Sequence, residues 1–220
     1  MRVWSLTFPV ALTALLCTSA AQAETLPVGA KAEQFTLKVV NTNVVDKRIL
    51  SLAHLVGEGA TTPKKVVVIS FFATYCEPCK KELPFLEQLY QRYGEQGLGV
   101  LVVSIDKDKD VPGGAAKAVG ALAEQHKLTY PVLHDRFNIL AKRYGVEKLP
   151  CLYLVDGGGK VALTSVGYTD EFSDTLTTEI QTRLGVAKEK IPHGPEVEPA
   201  AAKGTRGGKV KHKGGTKRGG

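Results

Sequence analysis

The sequence predicts an α/β domain in which helices flank a mixed central sheet, and three segments carry that prediction. Two continuous apolar runs, Val66 to Phe72 and Val100 to Ile105, have the β-branched composition of strands that are buried on both faces. A helical pattern from about Pro78 to Tyr93 lies between them. Strand, helix and strand in this order form a βαβ unit, whose strands are parallel and whose crossover is right-handed.

An additional strand is predicted before this unit and a helical insertion after it. Phe35, Leu37 and Val39 alternate with polar residues, as in a half-buried strand. Residues 106–127 combine a charged loop with a helical stretch, and a short strand is predicted around 131–133. We therefore expect an N-terminal strand extension of the sheet and a helical insertion in the core.

The C-terminal half of the domain is predicted to end in a hairpin and a helix. The apolar segments Cys151 to Val155 and Val161 to Val166 are joined by a glycine-rich turn, which indicates an antiparallel pair of strands. From Phe172 to Leu184, apolar residues recur every four positions, as on one face of a helix. The antiparallel hairpin added to a parallel pair makes the predicted sheet mixed.

Residues 1–23 have the features of a cleaved signal peptide. Arg2 gives a positive start, residues 10–16 are apolar, and an A-x-A site ends at Ala23. The apolar stretch is shorter than the roughly 18–20 residues of a membrane span. Lipidation of Cys17 is disfavoured because the bulky Leu16 precedes it. We expect a periplasmic or otherwise extracytoplasmic mature protein.

The remaining chain is predicted to be one domain, residues 24–190, followed by a disordered basic tail, residues 191–220. The formal net charge of the chain is +7, and residues 193–220 hold seven Lys or Arg against two Glu, a net of +5. The tail is rich in Gly and Lys and poor in apolar residues, so it cannot bury enough surface to offset its ordering entropy.

The composition of the tail suits weak binding to anionic polymers or lipid headgroups of the cell envelope. It contains no aromatic residue, so stacking on nucleic-acid bases is excluded and no specific nucleic-acid partner is expected. A solubilising tail without a partner is an equal alternative.

Cys76-Glu77-Pro78-Cys79 lies where the first apolar strand meets the helix. The N–H groups and the dipole at a helix N-terminus stabilise a thiolate at Cys76, and Cys79, one turn further on, can attack a mixed disulfide. Pro78 is well tolerated in a first helical turn. A zinc site would need a second ligand pair, and none has suitable spacing. We expect a redox-active disulfide, with no metal and no other cofactor.

The segment Phe71 to Cys79, FFATYCEPC, resembles the active site of thioredoxin-like proteins. Within that superfamily it is most similar to the exported TlpA-like and cytochrome c maturation thiol–disulfide oxidoreductases. The resemblance extends from about Phe35 to Leu184 and includes the insertion and the Leu149-Pro150 pair. It implies a thioredoxin fold and a thiol–disulfide oxidoreductase, with a role in cytochrome c maturation as a further implication.

The resemblance also implies roles for single residues. Cys76 would be the nucleophile and Cys79 the resolving thiol. Pro150 matches the family's cis-proline, and Leu149 before it would offer its backbone to a bound polypeptide. Tyr75 replaces the usual tryptophan and keeps an apolar face with a polar tip. The implied partners are protein disulfides and a membrane thiol-reducing protein that supplies electrons.

Several residues are expected to modulate the pair. Lys80 favours the Cys76 thiolate and Glu77 opposes it, so the pKa of the thiol is not expected at the extreme low end. This predicts a reductant, or a thiol–disulfide exchanger of intermediate reduction potential. Thioredoxin carries a buried acid six residues before its first cysteine, and Ser70 occupies that position here. Proton transfer would then use water or another carboxylate, of which Glu77 is the nearest in sequence.

Two alternative functions are weighed against this interpretation. A peroxiredoxin shares the thioredoxin core, but its nucleophilic cysteine follows a Thr or Ser three residues earlier, where this chain has Ala73. A redox-regulated binding protein would keep Cys76 and Cys79 as a fixed disulfide and bind anions through the basic tail.

Cys151 and the acidic segment 106–110 are interpreted as structural features. Cys151 is interpreted as a small buried residue, with a third redox thiol as the alternative. Asp106, Asp108 and Asp110 alternate like the start of a calcium loop, but the glycine and the glutamate that an EF-hand requires are missing. We expect a solvated charged loop there.

Overall fold

The chain forms alternating strands and helices, which a computed structural model describes for residues 25–192. Within that range the strands are β1 Thr36–Val39, β2 Ile49–Ser51, β3 Val66–Phe72, β4 Leu98–Ser104, β5 Val132–His134, β6 Cys151–Asp156 and β7 Val161–Val166. The helices are α1 Glu77–Tyr93, α2 Ala115–Gln125, α3 Ile139–Arg143 and α4 Asp170–Leu184. None of these helices is long and apolar enough to cross a membrane. The predicted signal peptide and nearly all of the predicted tail lie outside the described residues.

The strands make one mixed sheet in the order β2-β1-β5-β4-β3-β6-β7. β3 pairs in parallel with β4, and β4 with β5, whereas β6 runs antiparallel to β3 and pairs with β7 as the predicted hairpin. β1 lies antiparallel to β5 and carries β2 on its outer side, which confirms the N-terminal strand extension. Helix α2 is the predicted insertion.

The two central strands are buried on both faces and divide the core in two. Every residue of β3 and β4 is buried, as their apolar composition predicts. Side chains of alternate residues enter opposite clusters: Val66 and Val68 meet α1, α2 and α4, whereas Val67 and Ile69 meet α3 and the N-terminal segment. The sheet therefore has helices on both faces, as predicted.

Helix α1 ends at Tyr93, as the sequence pattern predicts, and Gly94 is its C-cap residue. Gly94 has right-handed helical dihedrals and continues into a 3₁₀ turn over Gly94–Gln96. The left-handed residue is Gly97, with φ of 115°. Glycine adopts this conformation without a Cβ clash, so it is Gly97 that turns the chain into β4.

The folded domain continues past the predicted boundary at residue 190. Ile191 is 8% exposed and packs into the core on the α1 face. The Glu189 carboxylate accepts bonds from the Arg92 guanidinium and from the Tyr93 hydroxyl, at the C-terminal end of α1. The Gln181 amide contacts the backbone of Glu189 on both sides, at its N–H and its carbonyl. Residues 189 and 191 are thus part of the domain.

Candidate active site

Cys76 and Cys79 form a disulfide at the start of α1, with an S–S distance of 2.06 Å. Cys76 is the N-cap residue, and the Cys79 N–H donates to its Sγ at 3.3 Å. Cys76 is 9% exposed, whereas Cys79 is 0% exposed. The helix N-terminus therefore stabilises negative charge on the sulfur that a partner can reach, and the second sulfur lies behind it.

Glu77 and Lys80 are on the solvent side of the same helical turn. The Lys80 Nζ binds Glu77 Oε1 at 2.6 Å, and the Glu77 side chain is largely exposed. The two charges that were expected to act on Cys76 in opposite senses therefore neutralise each other. The Glu77 carboxylate is thus paired with Lys80 at the surface of the helix.

The buried acid of the site is Glu82, which the sequence reasoning missed. Its side chain is 1% exposed, and Ser70 Oγ donates to its Oε2 at 2.5 Å. Oε1 has no hydrogen-bond partner within residues 25–192. Burial raises the pKa of Glu82 from 4.5 to about 7, against the opposing effect of the Ser70 bond.

Glu82 lies three residues after Cys79 on α1, which places both side chains on one face of the helix. This spacing was a signal available in the sequence: a glutamate stands where the apolar face of an amphipathic helix continues. Ser70, the residue found where thioredoxin has its acid, contacts this glutamate from β3. The buried acid of this chain is therefore on the helix, and it is hydrogen-bonded to the strand residue Ser70.

The residues expected to contact a partner protein lie at the same edge of the sheet. Tyr75 is 69% exposed directly before Cys76. The Leu149-Pro150 bond is cis, and the Pro150 carbonyl accepts from the Gly167 N–H at 2.8 Å. The register pairs β3 and β6 up to Cys151, the next residue after Pro150, so the Leu149-Pro150 pair borders the turn that carries Cys76.

Leu149 is half-buried and packs against the apolar clusters of both faces. Within residues 25–192, no other backbone group bonds to its N–H or its carbonyl. Both groups are therefore free to pair with another backbone segment.

Cys151 lies on the other face of the sheet. It is fully buried and belongs to the α3-side cluster, whereas Cys76 and Cys79 belong to the α1-side cluster. Burial raises the pKa of its thiol, against a smaller opposing effect of the Tyr153 side chain. The structure thus places Cys151 as the small core residue of the first interpretation, separated by the sheet from the redox pair.

The acidic loop after β4 is only partly solvated, so that expectation is wrong for one of its residues. Asp106 is 1% exposed, whereas Asp108 is near the surface and pairs with Arg136 at 2.9 Å. No cluster of three or more His, Cys, Asp or Glu side chains suited to a metal occurs within residues 25–192.

Comparison with curated proteins gives a consistent set of relatives. Residues 28–164, more than half of the chain, match the AhpC/TSA family. A thiol-disulfide oxidoreductase ResA from Oceanobacillus iheyensis is 31% identical over 134 residues, 61% of this chain and 62% of that protein. ResA from Bacillus thuringiensis strain Al Hakam is 31% identical over 147 residues, 67% of this chain and 74% of that protein. The chain therefore spans somewhat less than two thirds of the Oceanobacillus relative and about three quarters of the Bacillus one.

Solved structures agree with the fold. A proposed thiol:disulfide interchange protein DsbE from Chlorobium tepidum has a TM-score of 0.60 and 27% identity, covering 73% of this chain and 100% of that one. A proposed protein disulfide isomerase from Bacteroides thetaiotaomicron, 23% identical over 73% of this chain and 91% of that one, also has a TM-score of 0.60 and shares the fold. These matches confirm the predicted thioredoxin fold and the oxidoreductase class. The chain belongs to the thioredoxin-like AhpC/TSA family, in which its relatives are thiol–disulfide oxidoreductases.

Proposed function

We propose that the protein is an extracytoplasmic thiol–disulfide oxidoreductase that reduces protein disulfides with the Cys76/Cys79 dithiol. The observation that carries the proposal is the asymmetry of the pair: Cys76 caps α1 and is partly reachable, and Cys79 is fully buried behind it. A nucleophile and a resolving thiol need this division, because only the first must meet the substrate.

The reaction follows from this arrangement. The Cys76 thiolate attacks one sulfur of the substrate disulfide, whose S–S bond breaks and releases one substrate thiolate. Cys79 then loses its proton and attacks Cys76 Sγ, which breaks the mixed disulfide and releases the second substrate thiolate. Two electrons pass to the substrate, which becomes a dithiol, and the Cys76–Cys79 disulfide is left on the enzyme.

Glu82 is the group suited to take the proton from Cys79. It follows Cys79 by one turn on the same helical face, and its pKa of about 7 lets it exchange protons near neutral pH. Burial of the site excludes the bulk water that would otherwise perform this step. Ser70 holds one carboxylate oxygen, and the other, Oε1, is left without a partner among residues 25–192.

We propose further that Tyr75, Leu149 and Pro150 dock the substrate polypeptide. The exposed aromatic ring of Tyr75 supplies apolar contact, and the backbone groups of Leu149 can pair with an extended strand. Because each turnover leaves a disulfide, a thiol-reducing partner in the membrane must restore the dithiol. The sequence resemblance supports apocytochromes c as substrates.

The predicted signal peptide supports location outside the cytoplasm. The basic tail is proposed to make weak contacts with anionic lipid or envelope polymers. A comparison of full-length protein with a chain ending at Pro192, on vesicles of anionic lipid at two salt concentrations, tests this. Binding that needs the tail and weakens with salt supports the contact, and equal, salt-independent binding contradicts it.

The activity is tested by insulin reduction with dithiothreitol as the electron source. We expect the wild-type protein to accelerate the reaction and Cys76→Ser to abolish the acceleration. Cys151→Ala is the matched control, since it removes a thiol on the opposite face and keeps the pair. If the wild-type protein gives no acceleration, the alternative of a fixed disulfide in a redox-regulated binding protein is favoured instead.

Substrate identity needs a second experiment. Cys79→Ala retains the nucleophile and lacks the resolving thiol, so mixed disulfides with substrates accumulate. Apocytochromes c among the trapped proteins would support the maturation role. Their absence, with other proteins trapped, would contradict that role and leave general disulfide reduction.

A further inference from the structure

The loop that carries the nucleophile is a tight turn with an exposed tip. The Cys76 N–H donates to the Ala73 carbonyl at 3.0 Å, which closes a four-residue turn with Thr74 and Tyr75 at its centre. Tyr75 points into solvent, so it contributes little to holding the turn. The position of Cys76 therefore depends on what fixes Thr74.

Thr74 is fixed by Asp106, which comes from the end of the neighbouring strand β4. The Thr74 backbone N–H donates to both carboxylate oxygens, at 3.1 and 3.0 Å, and its hydroxyl donates to Oδ1 at 2.7 Å. Both polar hydrogens of Thr74 are thus used by one side chain. Hydrogen bonds to a charged acceptor are roughly twice as strong as neutral ones.

Asp106 is itself held rigidly. Ser104 Oγ donates to its carboxylate at 2.8 Å and accepts from its N–H at 3.1 Å. The His134 ring nitrogen Nε2 lies 2.9 Å from its carbonyl oxygen. Strands β4 and β5 thereby support the aspartate, and the aspartate supports the turn on β3.

Asp106 is 1% exposed, and the hydrogen-bond donors to its carboxylate within residues 25–192 are all neutral groups of Thr74 and Ser104. A buried charge is costly unless it is well hydrogen-bonded. Asp135, the equivalent acid at the end of β5, has an evident structural use, because it accepts from the N–H groups of Ile139 and Ala141 at the start of α3. Asp106 caps no helix; its carboxylate is directed at the active-site turn.

We propose that Asp106 is a positioning residue that holds the Cys76 sulfur in its reactive orientation through Thr74. The inference deepens the proposed function and rests on it, since it assigns the residue that orients the nucleophile of that same reaction. The chain of contacts is continuous: Ser104 orients Asp106, Asp106 fixes Thr74, and the turn from Ala73 fixes Cys76 at the helix N-cap.

The test measures the reactivity of Cys76 itself. In a Cys79→Ser background, the rate of Cys76 alkylation by iodoacetamide is measured by peptide mass spectrometry at increasing pH. The rate reaches a limiting value at the pH where the thiol is fully ionised. We expect Asp106→Asn to lower this limiting rate by about tenfold, because Thr74 loses its charged acceptor. Thr74→Val keeps every charge and the backbone bond but loses the hydroxyl bond, so we expect a smaller decrease, about threefold.

Three comparisons separate positioning from general destabilisation. Thr74→Ser retains both donors and should react like the parent. Asp135→Asn removes a buried carboxylate from the same sheet edge without touching Thr74, so it should lower the melting temperature and leave the limiting rate unchanged. Thr74→Val added to Asp106→Asn should cause no further decrease, because the two changes remove the same contact.

The proposal is overturned if folded Asp106→Asn reacts at the parental rate, or if Asp135→Asn slows Cys76 equally. If Asp106→Asn does not fold, the Thr74 variants decide: equal rates for Thr74→Val and Thr74→Ser contradict the proposal. Alkylation requires no protein substrate. A failure to reduce insulin would therefore count against the proposed function alone, and a failure here against the role of Asp106 alone.

Discussion

The Ser70 hydroxyl on β3 donates a 2.5 Å hydrogen bond to Glu82 Oε2 on α1, and both side chains are buried. The bond stabilises the carboxylate form of Glu82, whereas burial favours the neutral acid and has the larger effect. The balance leaves the pKa of Glu82 at about 7, where a proton acceptor for Cys79 is useful.

Ser70→Ala should shift the pH dependence of turnover to higher pH. The variant removes the Ser70 hydrogen bond that favours ionised Glu82, so the pKa of this acid rises and the proton acceptor is lost at neutral pH. The measurement is the pH profile of insulin reduction. Thr177→Val is the control, because it removes a buried hydroxyl that bonds to Ser173 and not to Glu82. An unchanged profile for Ser70→Ala would show that Ser70 does not set the proton affinity of Glu82.

Glu82→Gln should alter the pH dependence of folding stability. The pKa is raised from 4.5 to about 7 in the folded protein, so the stabilising effect of the bound proton is complete below about pH 4.5 and is lost as the pH rises through 7. The full change amounts to about 3 kcal/mol in the free energy of unfolding. Glutamine does not titrate, so the urea-unfolding free energy of the variant should lack this decrease. A parallel decrease in both proteins would contradict the assignment.

The same substitution should also slow resolution of the mixed disulfide. Without the carboxylate, Cys79 has no buried proton acceptor, and the release of a trapped substrate should be slower by about 10²-fold, the scale of general-base catalysis. The lifetime of the mixed disulfide is measured by quenching the reaction with acid at successive times and quantifying the species by mass spectrometry. Formation of that species by Cys76 should be much less affected, and an equal slowing of both steps would argue for a structural role.

Cys151→Ala should leave turnover intact. The thiol is buried on the opposite face of the sheet, and burial raises its pKa, which disfavours the reactive thiolate. Loss of the sulfur should cost about 1–2 kcal/mol of stability through lost packing. Insulin reduction and urea unfolding check the two expectations. A disulfide between Cys151 and either active-site cysteine in native wild-type protein would contradict them.

Glu189→Ala should release the segment that follows α4. The Glu189 carboxylate binds the Arg92 guanidinium, which holds the pKa of this acid below its ordinary value and keeps the contact at mildly acidic pH. Trypsin should then cleave faster at Lys188 and Lys190, while insulin reduction stays unchanged. Glu179→Ala, which breaks the exposed pair of Glu179 with Arg183 within α4, should not accelerate this cleavage.

The sequence predicted the strands, the parallel βαβ unit and the hairpin because each depends on local apolar patterning. It also located the Cys76–Cys79 pair, since that motif is carried by four consecutive residues. Glu82 was missed and Asp106 was misjudged for one physical reason: the burial of a charged side chain is decided by tertiary contacts. Ser70 is 12 residues from Glu82 in the chain, and Thr74 is 32 residues from Asp106. Local sequence does not report such contacts.

Ile191 illustrates the same limit at the end of the domain. The composition of the C-terminal segment is dominated by Gly, Pro and basic residues, so a single isoleucine gave no reason to extend the fold. Its side chain nevertheless packs into the core beside α1, because Glu189 and Gln181 bring this segment back against the domain.

The most direct test of the account compares the two cysteines as nucleophiles. Reduced Cys79→Ser and Cys76→Ser variants are each mixed with glutathione disulfide, and formation of the mixed disulfide at the remaining active-site cysteine is timed by mass spectrometry. The burial and N-cap position of the sulfurs predict that Cys76 reacts at least about tenfold faster than Cys79. Equal rates, or a faster reaction at Cys79, would contradict the assignment of nucleophile and resolving thiol.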